Sequence, residues 1–441
     1  MTVKQQRGQF FTTNDDVRAV MSALLTVSAG TVLEPSAGAG DLVTVVESRP
    51  GMQVDAVELD SSIRRLCASR IIYADFFTYA AGRDGTYDAV FGNPPYVAWK
   101  GLEAATKRSA RDVKTAYSDK TNLYHLFIDR CVDLLAPGGE LVFIVPKEWL
   151  YTSSAQPLRE KIMRDGALTH LVDCGEEKLF TDADVPALLI FRFVKGASAS
   201  VPVLFAASLQ AATAGVWDTR ALVSTAGRFL LLPPARSRQV TGWGRLADAF
   251  RVHVGMVSGS DAVFRVPAGV TVEPACVQPY LTTKGIEPFI DVNHVADWSS
   301  MPAGAAAYLL QHKPALLARR IAHFDDSNWW RYGAVRNRDV MLSGRERFYA
   351  YAKTRSVTPF FTSPSAVMFS GGILGLFRVA GGPVTVGTAV RVLNSAAYRD
   401  VLEGMFLTTG NKLSLQPATL EDAPFPVSES DALAWLTAVG G

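Results

Sequence analysis

Short apolar runs alternate with amphipathic stretches along the first half of the chain. Thr31-Val32-Leu33-Glu34, Val54 to Asp60, Arg70 to Tyr73, Tyr87 to Gly92, Glu140 to Val145, Leu171 to Asp173 and Ala187 to Phe193 are brief, largely apolar, and bounded by turn or charged residues. That pattern predicts buried strands. Between them, residues 15–25, a stretch from Leu42, residues 122–135 and about 154–164 carry helical spacing. Thr13 or Asn14 supplies an N-cap to the first, and Pro137-Gly138-Gly139 a stop after the third. The alternation predicts an α/β fold, a Rossmann-like doubly wound sheet that is mainly parallel. Residues 100–120 are polar and lysine-bearing, long for a loop, and are expected to be mobile or functional.

The rhythm weakens after Lys195 and is lost beyond Pro233-Pro234-Ala235. A boundary there divides the chain into residues 1–235 and a second, α+β domain of residues 236–441. Val254 to Asp261 reads as a glycine-rich turn. From Lys313 to Arg355, ten Lys or Arg stand against four Asp or Glu, interleaved with Trp329, Trp330, Tyr332, Phe348 and Tyr349. Basic residues among aromatics fit a nucleic-acid surface, or equally a solvated face over core aromatics.

Chemistry gathers where the predicted strands end. Pro35-Ser36-Ala37-Gly38-Ala39-Gly40 follows the first strand, and its glycines permit a tight turn and a close backbone approach before a helix. Glu58 follows Gly40 by eighteen residues, near the distance at which a second-strand acid takes the ribose hydroxyls of a nucleoside. Asp75 suits an amino group, and Phe76 a ring face. One acid at a strand end is ordinary; Glu34, Glu58 and Asp75 closing three successive strands point to a ligand. Asn93-Pro94-Pro95-Tyr96 closes the fourth. Two prolines cannot continue a ladder, so the chain leaves the sheet on a stiff backbone. The Asn93 amide oxygen and the Pro94 carbonyl then form a double acceptor for an –NH2 group. Tyr96 offers a face to a planar ring. His125 reads as a packed helix residue.

Composition narrows the classes. With 441 residues, 48% hydrophobic and 20% charged, the chain is long enough for two domains with packed cores. A net charge of +2 argues for no partner. Cys67, Cys131, Cys174 and Cys276 are scattered without a CxxC pair, which indicates neither a zinc site nor a disulfide framework and suits a reducing cytoplasm. No run of about 20 apolar residues suggests a membrane span, and Met1 to Gln9 lacks the apolar core of a signal peptide.

The order Gly8-Gln9-Phe10-Phe11-Thr12, Glu34 to Gly40, Glu58, Ala74-Asp75-Phe76, Asn93-Pro94-Pro95-Tyr96 resembles S-adenosylmethionine-dependent DNA amino-methyltransferases of the Eco57I and TaqI type. The resemblance covers about residues 8–193. It implies a class I methyltransferase domain followed by a target recognition domain, and methyl transfer to adenine N6 of a flipped-out base in double-stranded DNA. It implies that Thr12, Glu34, Pro35, Gly38, Gly40, Glu58, Asp75 and Phe76 line an S-adenosylmethionine pocket. Asn93, Pro94, Pro95 and Tyr96 would hold the target base, with Phe180 as a second aromatic against it. Thr13 stands where such enzymes usually carry proline. Similarity in the second half is confined to Gln278-Pro279-Tyr280, Gly285-Ile286 and Gly410 to Ser414. No metal is implied. A monomeric cytoplasmic enzyme is expected, with a separately encoded restriction endonuclease as an optional partner.

Cytosine-N4 transfer uses the same geometry, and its enzymes more often begin the tetrapeptide with serine. Protein-glutamine and ribosomal-RNA methyltransferases also carry Asn-Pro-Pro-Tyr, but the long basic second half speaks against them. Cytosine-C5 chemistry needs a cysteine nucleophile, customarily after proline, and no cysteine here follows one. A nicotinamide enzyme or a non-catalytic DNA-binding module leaves Asn93 to Tyr96 unexplained.

Overall fold

The computed structural model describes residues 12–175, 179, 187–363, 368–405, 408–409 and 412–440. The chain divides into two compact units, residues 1–238 with 404–410, and residues 239–403 with 411–441.

In the first unit, helix α1 (Asp15–Leu24) starts where Asn14 Oδ1 accepts the Val17 N–H at 3.0 Å. The strands are β1 (Gly30–Glu34), β2 (Met52–Glu58), β3 (Ile71–Tyr73), β4 (Tyr87–Gly92), β5 (Leu135–Pro146), β6 (Gly166–Asp173), β7 (Leu188–Lys195), β8 (Val203–Ala206), β9 (Asp218–Thr225) and β10 (Arg228–Leu232). They form one sheet in the order β10-β9-β8-β6-β7-β5-β4-β1-β2-β3. β1 pairs in parallel with β2 and β4, β2 with β3, β4 with β5, and β6 with β8. β7 lies antiparallel between β5 and β6. The sheet is doubly wound as the periodicity implies. Its parallel part carries helices α2 (Asp41–Glu47), α3 (Phe76–Ala80) and α6 (Leu123–Leu134) between strands.

Two segments differ from their sequence patterns. The helix ends at Leu134 and β5 begins at Leu135, so Pro137-Gly138-Gly139 is not the helix stop but lies inside a strand whose pairing with β4 shifts register there. Residues 100–120 are not an open loop. They carry helices α4 (Ala104–Ser109) and α5 (Arg111–Lys114), and Ala110 and Tyr117 are buried in the core. β8 to β10 extend the sheet through residues with irregular punctuation.

β4 and β5 are buried along almost their whole apolar lengths, as central parallel strands require. The β1–β2–β4 centre brings the ends of β1, β2, β3 and β4 to one edge, where the chemistry-bearing residues lie.

The second unit has a four-stranded sheet of Phe250–Val254, Ile373–Arg378, Arg347–Tyr351 and Phe360–Phe361, in that spatial order. Gln278-Pro279-Tyr280 and Gly285-Ile286 form a hairpin, Val277–Thr282 against Gly285–Ile290. Trp329, Trp330, Tyr332, Phe348 and Tyr349 are all buried, so the aromatics of the basic stretch are core and not a stacking surface. Several cations there are structural as well. Arg319 is buried and donates to the carbonyls of Leu316, Ser258 and Trp329. Arg338 pairs with buried Asp291 at 2.7 Å. No helix among the described residues is long and apolar enough to cross a membrane.

Candidate active site at the sheet edge

The turn after β1 is built on Gly40. Its φ of +96° is left-handed, and a Cβ there would lie 2.5 Å from Cys67 Sγ. The Glu58 carboxylate holds this turn from β2: one oxygen accepts the Gly38 N–H and the other the Asp60 N–H, both at 2.8 Å. Burial raises the Glu58 pKa above the usual carboxylate value, and the two N–H groups oppose that shift.

Glu34 ends β1 with 2% of its surface exposed. One oxygen accepts the Ser36 N–H at 3.2 Å; the other, Oε2, is buried without a hydrogen bond among the described residues. Burial pushes this carboxyl up to about 8, opposed by the Ser36 N–H and reinforced by Glu58. Gly92 makes room for it, since a Cβ at that position would sit 2.5 Å from Glu34 Oε1. A buried acid with an unused acceptor suits a cationic ligand group.

Asp75 caps α3, accepting the Thr78 N–H at 3.0 Å through Oδ1. Phe76 is buried and stacked on Phe127, centroids 4.4 Å apart, so one ring face is already covered. A cleft of about 670 Å³ opens beside these strand ends, lined by Leu59, Asp60 and Asp75 on one side and by Glu103, Thr106 and Arg108 of the α4 region on the other. The segment expected to be loop is thus a wall of the cleft.

The Asn93 tetrapeptide leaves β4 as its ladder with β5 ends at Gly92 and Phe143. Ser36 Oγ donates to the Asn93 main-chain oxygen at 3.0 Å, tying the β1 turn to the tetrapeptide. Asn93 Nδ2 donates to Thr12 Oγ1 at 3.1 Å. The Tyr96 hydroxyl lies 2.5 Å from Asn93 Oδ1 and 2.9 Å from the Ile144 carbonyl. The expected acceptor on Asn93 therefore already meets a donor, the Tyr96 hydroxyl. The half-buried Tyr96 ring meets Tyr124 edge-on at 5.8 Å.

Thr12, Glu34, Pro35, Gly38, Gly40, Glu58, Asp75, Phe76 and the tetrapeptide all lie on β1 to β4 ends or beside them. Phe180 lies outside the described residues, as do Gly8 to Phe11. Sequence reasoning missed Ser36, whose hydroxyl is the bridge. It also missed the ion pair of Lys147 with Asp173, 3.2 Å apart at the ends of β5 and β6. The Pro146-Lys147-Glu148-Trp149 break after an apolar strand is the signal that marks Lys147. His125 is packed as expected: Nδ1 lies 2.9 Å from Thr121 Oγ1, and burial lowers its pKa to about 3.

In the second unit, Arg251, Arg345 and Arg378 border a cleft of about 520 Å³. Arg378 is paired with Glu346 at 2.6 Å. Arg320, Arg336, Arg345, Lys353 and Arg355 are exposed and form no ion pair with another described residue.

The β3-β2-β1-β4-β5-β7-β6 strand order with the glycine turn after β1 makes a Rossmann-like doubly wound sheet. Residues 57–180 match the model of the Eco57I restriction-modification methylase. The chain is 28% identical over 192 residues to the Type II methyltransferase M.HincII of Haemophilus influenzae, covering 43% of this chain and 37% of that one. It is 29% identical over 304 residues to M.XhoI of Xanthomonas vasicola, covering 59% and 54%. With M.TthHB8I of Thermus thermophilus it shares 28% over 306 residues, covering 64% and 67%. The chain thus spans between about a third and two thirds of these relatives. The structure of the Type IIL restriction-modification enzyme MmeI in complex with DNA superposes with a TM-score of 0.52 at 10% identity, over 96% of this chain and 70% of that one.

S-adenosylmethionine is the cofactor that the methyltransferase matches imply, and Glu34 fits it. Glu34 Oε2, a buried acceptor without a hydrogen bond among the described residues, suits an ammonium group, and Asp75 lines the cleft beside the strand ends.

Proposed function

We propose that this protein methylates the N6 amino group of adenine in double-stranded DNA. The observation that carries the reading is the Asn93-Pro94-Pro95-Tyr96 turn beside the Glu34, Glu58 and Asp75 strand ends. An exocyclic amine is a poor nucleophile because its lone pair is delocalised into the ring. Asn93 Oδ1 and the Pro94 carbonyl accept its two hydrogens and favour a pyramidal nitrogen with a free lone pair. S-adenosylmethionine, when bound, supplies the sulfonium methyl. Holding the amine beside it accounts for much of the acceleration, and Asn93 and Pro94 form no covalent bond to the base.

A paired base cannot reach this edge, so it must leave the duplex at a cost of roughly a few kcal/mol. Stacking on Tyr96 offsets roughly 1–3 kcal/mol of that. Residues 236–441 serve as the target recognition domain in this reading. Arg251 and Arg345, bordering the second-unit cleft, and exposed Arg320, Arg336, Lys353 and Arg355 suit DNA phosphates. The relatives are named Type II methyltransferases and the matching model a restriction-modification methylase, which supports DNA as the substrate, and a paired endonuclease fits that setting. Asn93 in place of serine favours adenine.

The test is to methylate DNA with the purified protein and map the modified base. N6-methyladenine at one recurring site supports the proposal. N4-methylcytosine at that site overturns the choice of base, and methylation of RNA or protein alone overturns the substrate class.

A further inference from the structure

Asn93 is useful to the amine only if its oxygen, and not its amide nitrogen, faces the base. Nothing in an asparagine enforces that, because the two ends have the same shape. We propose that Thr12 and Tyr96 are positioning residues that set the sense of the Asn93 amide, with the Tyr96 hydroxyl holding Oδ1 until the target amine replaces it. The inference rests on the proposed amine-acceptor role of Asn93.

Three distances support it. Asn93 Nδ2 donates to Thr12 Oγ1 at 3.1 Å, an N–H···O distance. The Tyr96 hydroxyl lies 2.5 Å from Asn93 Oδ1, a length that fits O–H···O and is too short for an amide N–H. That hydroxyl also lies 2.9 Å from the Ile144 carbonyl. A phenol has one proton, so it does not fully serve both of these acceptors at once. Before the base arrives the phenol O–H points to Asn93 Oδ1. When an amine hydrogen takes Oδ1, the phenol proton turns to Ile144, and no buried group is left unpaired. Thr12 keeps Nδ2 turned away from the base throughout. Thr12 is 4% exposed, so water does not compete with this bond. It lies 81 positions before Asn93 in the chain, in a motif that the resemblance assigns to the cofactor instead.

Thr12→Val keeps the shape and removes the acceptor; Thr12→Ser keeps the acceptor. Single-turnover methyl transfer to duplex DNA is measured at saturating S-adenosylmethionine, beside the KM for the cofactor and the thermal unfolding of each variant. At saturating cofactor we expect Thr12→Val to slow transfer about tenfold or more, and Thr12→Ser to restore most of the rate. In an Asn93→Ala background, Thr12→Val should change little, because the residue it positions is gone. A parental rate for Thr12→Val, or a loss appearing only as a higher cofactor KM, overturns the inference. So does equal slowing in both backgrounds. If Asn93→Ala alone retains the parental rate, it is the acceptor role of Asn93 that fails.

Discussion

Glu58→Gln is the most informative single change in the cofactor half of the site. Each Glu58 oxygen takes one backbone N–H, from Gly38 and from Asp60, at 2.8 Å. Glutamine is nearly isosteric but replaces one oxygen with an –NH2 group. Whichever way it turns, one N–H then meets a donor at a position that is 7% exposed in the parent. An unpaired buried group costs about 1–3 kcal/mol. If the turn through Gly38 shifts in response, the cofactor loses its cradle, and the same 1–3 kcal/mol appears as about a 5- to 150-fold weaker affinity. Isothermal calorimetry with S-adenosylmethionine measures this, with thermal unfolding run alongside. A folded variant with parental affinity and parental stability would refute the reasoning, since neither the turn nor the pocket would then depend on Glu58.

Three further outcomes follow from the same structure. Glu34 loses its proton near the ordinary carboxylate value of 4.5 in the unfolded chain but at about 8 in the fold. Its contribution to stability therefore declines as pH rises from 4.5 towards 8, by at most about 1.4 kcal/mol per pH unit. Between about pH 6 and 8 the unfolding midpoint of Glu34→Gln should fall less than that of the parent, and equal falls would contradict the assignment. Tyr96→Ala should weaken DNA binding and slow transfer, whereas Tyr96→Phe, which keeps the ring, should retain parental DNA affinity and lose rate alone; equilibrium binding and single-turnover rates separate the two. Arg251→Glu with Arg345→Glu should weaken DNA binding uniformly across sequences and leave cofactor affinity unchanged. The dependence of log K on log salt should flatten by about 1 for each phosphate no longer neutralised, and an unchanged salt slope would place the DNA elsewhere.

The central strands were legible because each is an apolar run closed by turn or charged residues, and burial on both faces leaves no other reading for Val90-Phe91-Gly92 or Val142 to Val145. The placing of Glu34, Glu58, Asp75 and Asn93 at one edge follows from that rhythm. β9 was not legible: its residues are exposed or half-buried, so Asp218 to Thr225 shows no apolar run. Local composition also could not distinguish a solvated arginine from one such as Arg319, buried to satisfy three carbonyls, or a stacking tryptophan from the core pair Trp329 and Trp330. The hydrogen bonds that orient the site were the least legible. Ser36 to Asn93 and Thr12 to Asn93 join residues 57 and 81 positions apart, and a single hydroxyl in a loop carries no periodic signal.

The central claim is that Asn93 accepts a hydrogen of the target amine as methyl transfer begins. Single-turnover transfer of a labelled methyl from S-adenosylmethionine to duplex DNA by Asn93→Ala, with calorimetric cofactor affinity measured on the same preparation, tests it directly. Losing one preorganised acceptor commonly costs roughly 100- to 1000-fold in rate. The account predicts a fall of that size with cofactor affinity unchanged. Transfer at the parental rate would contradict it.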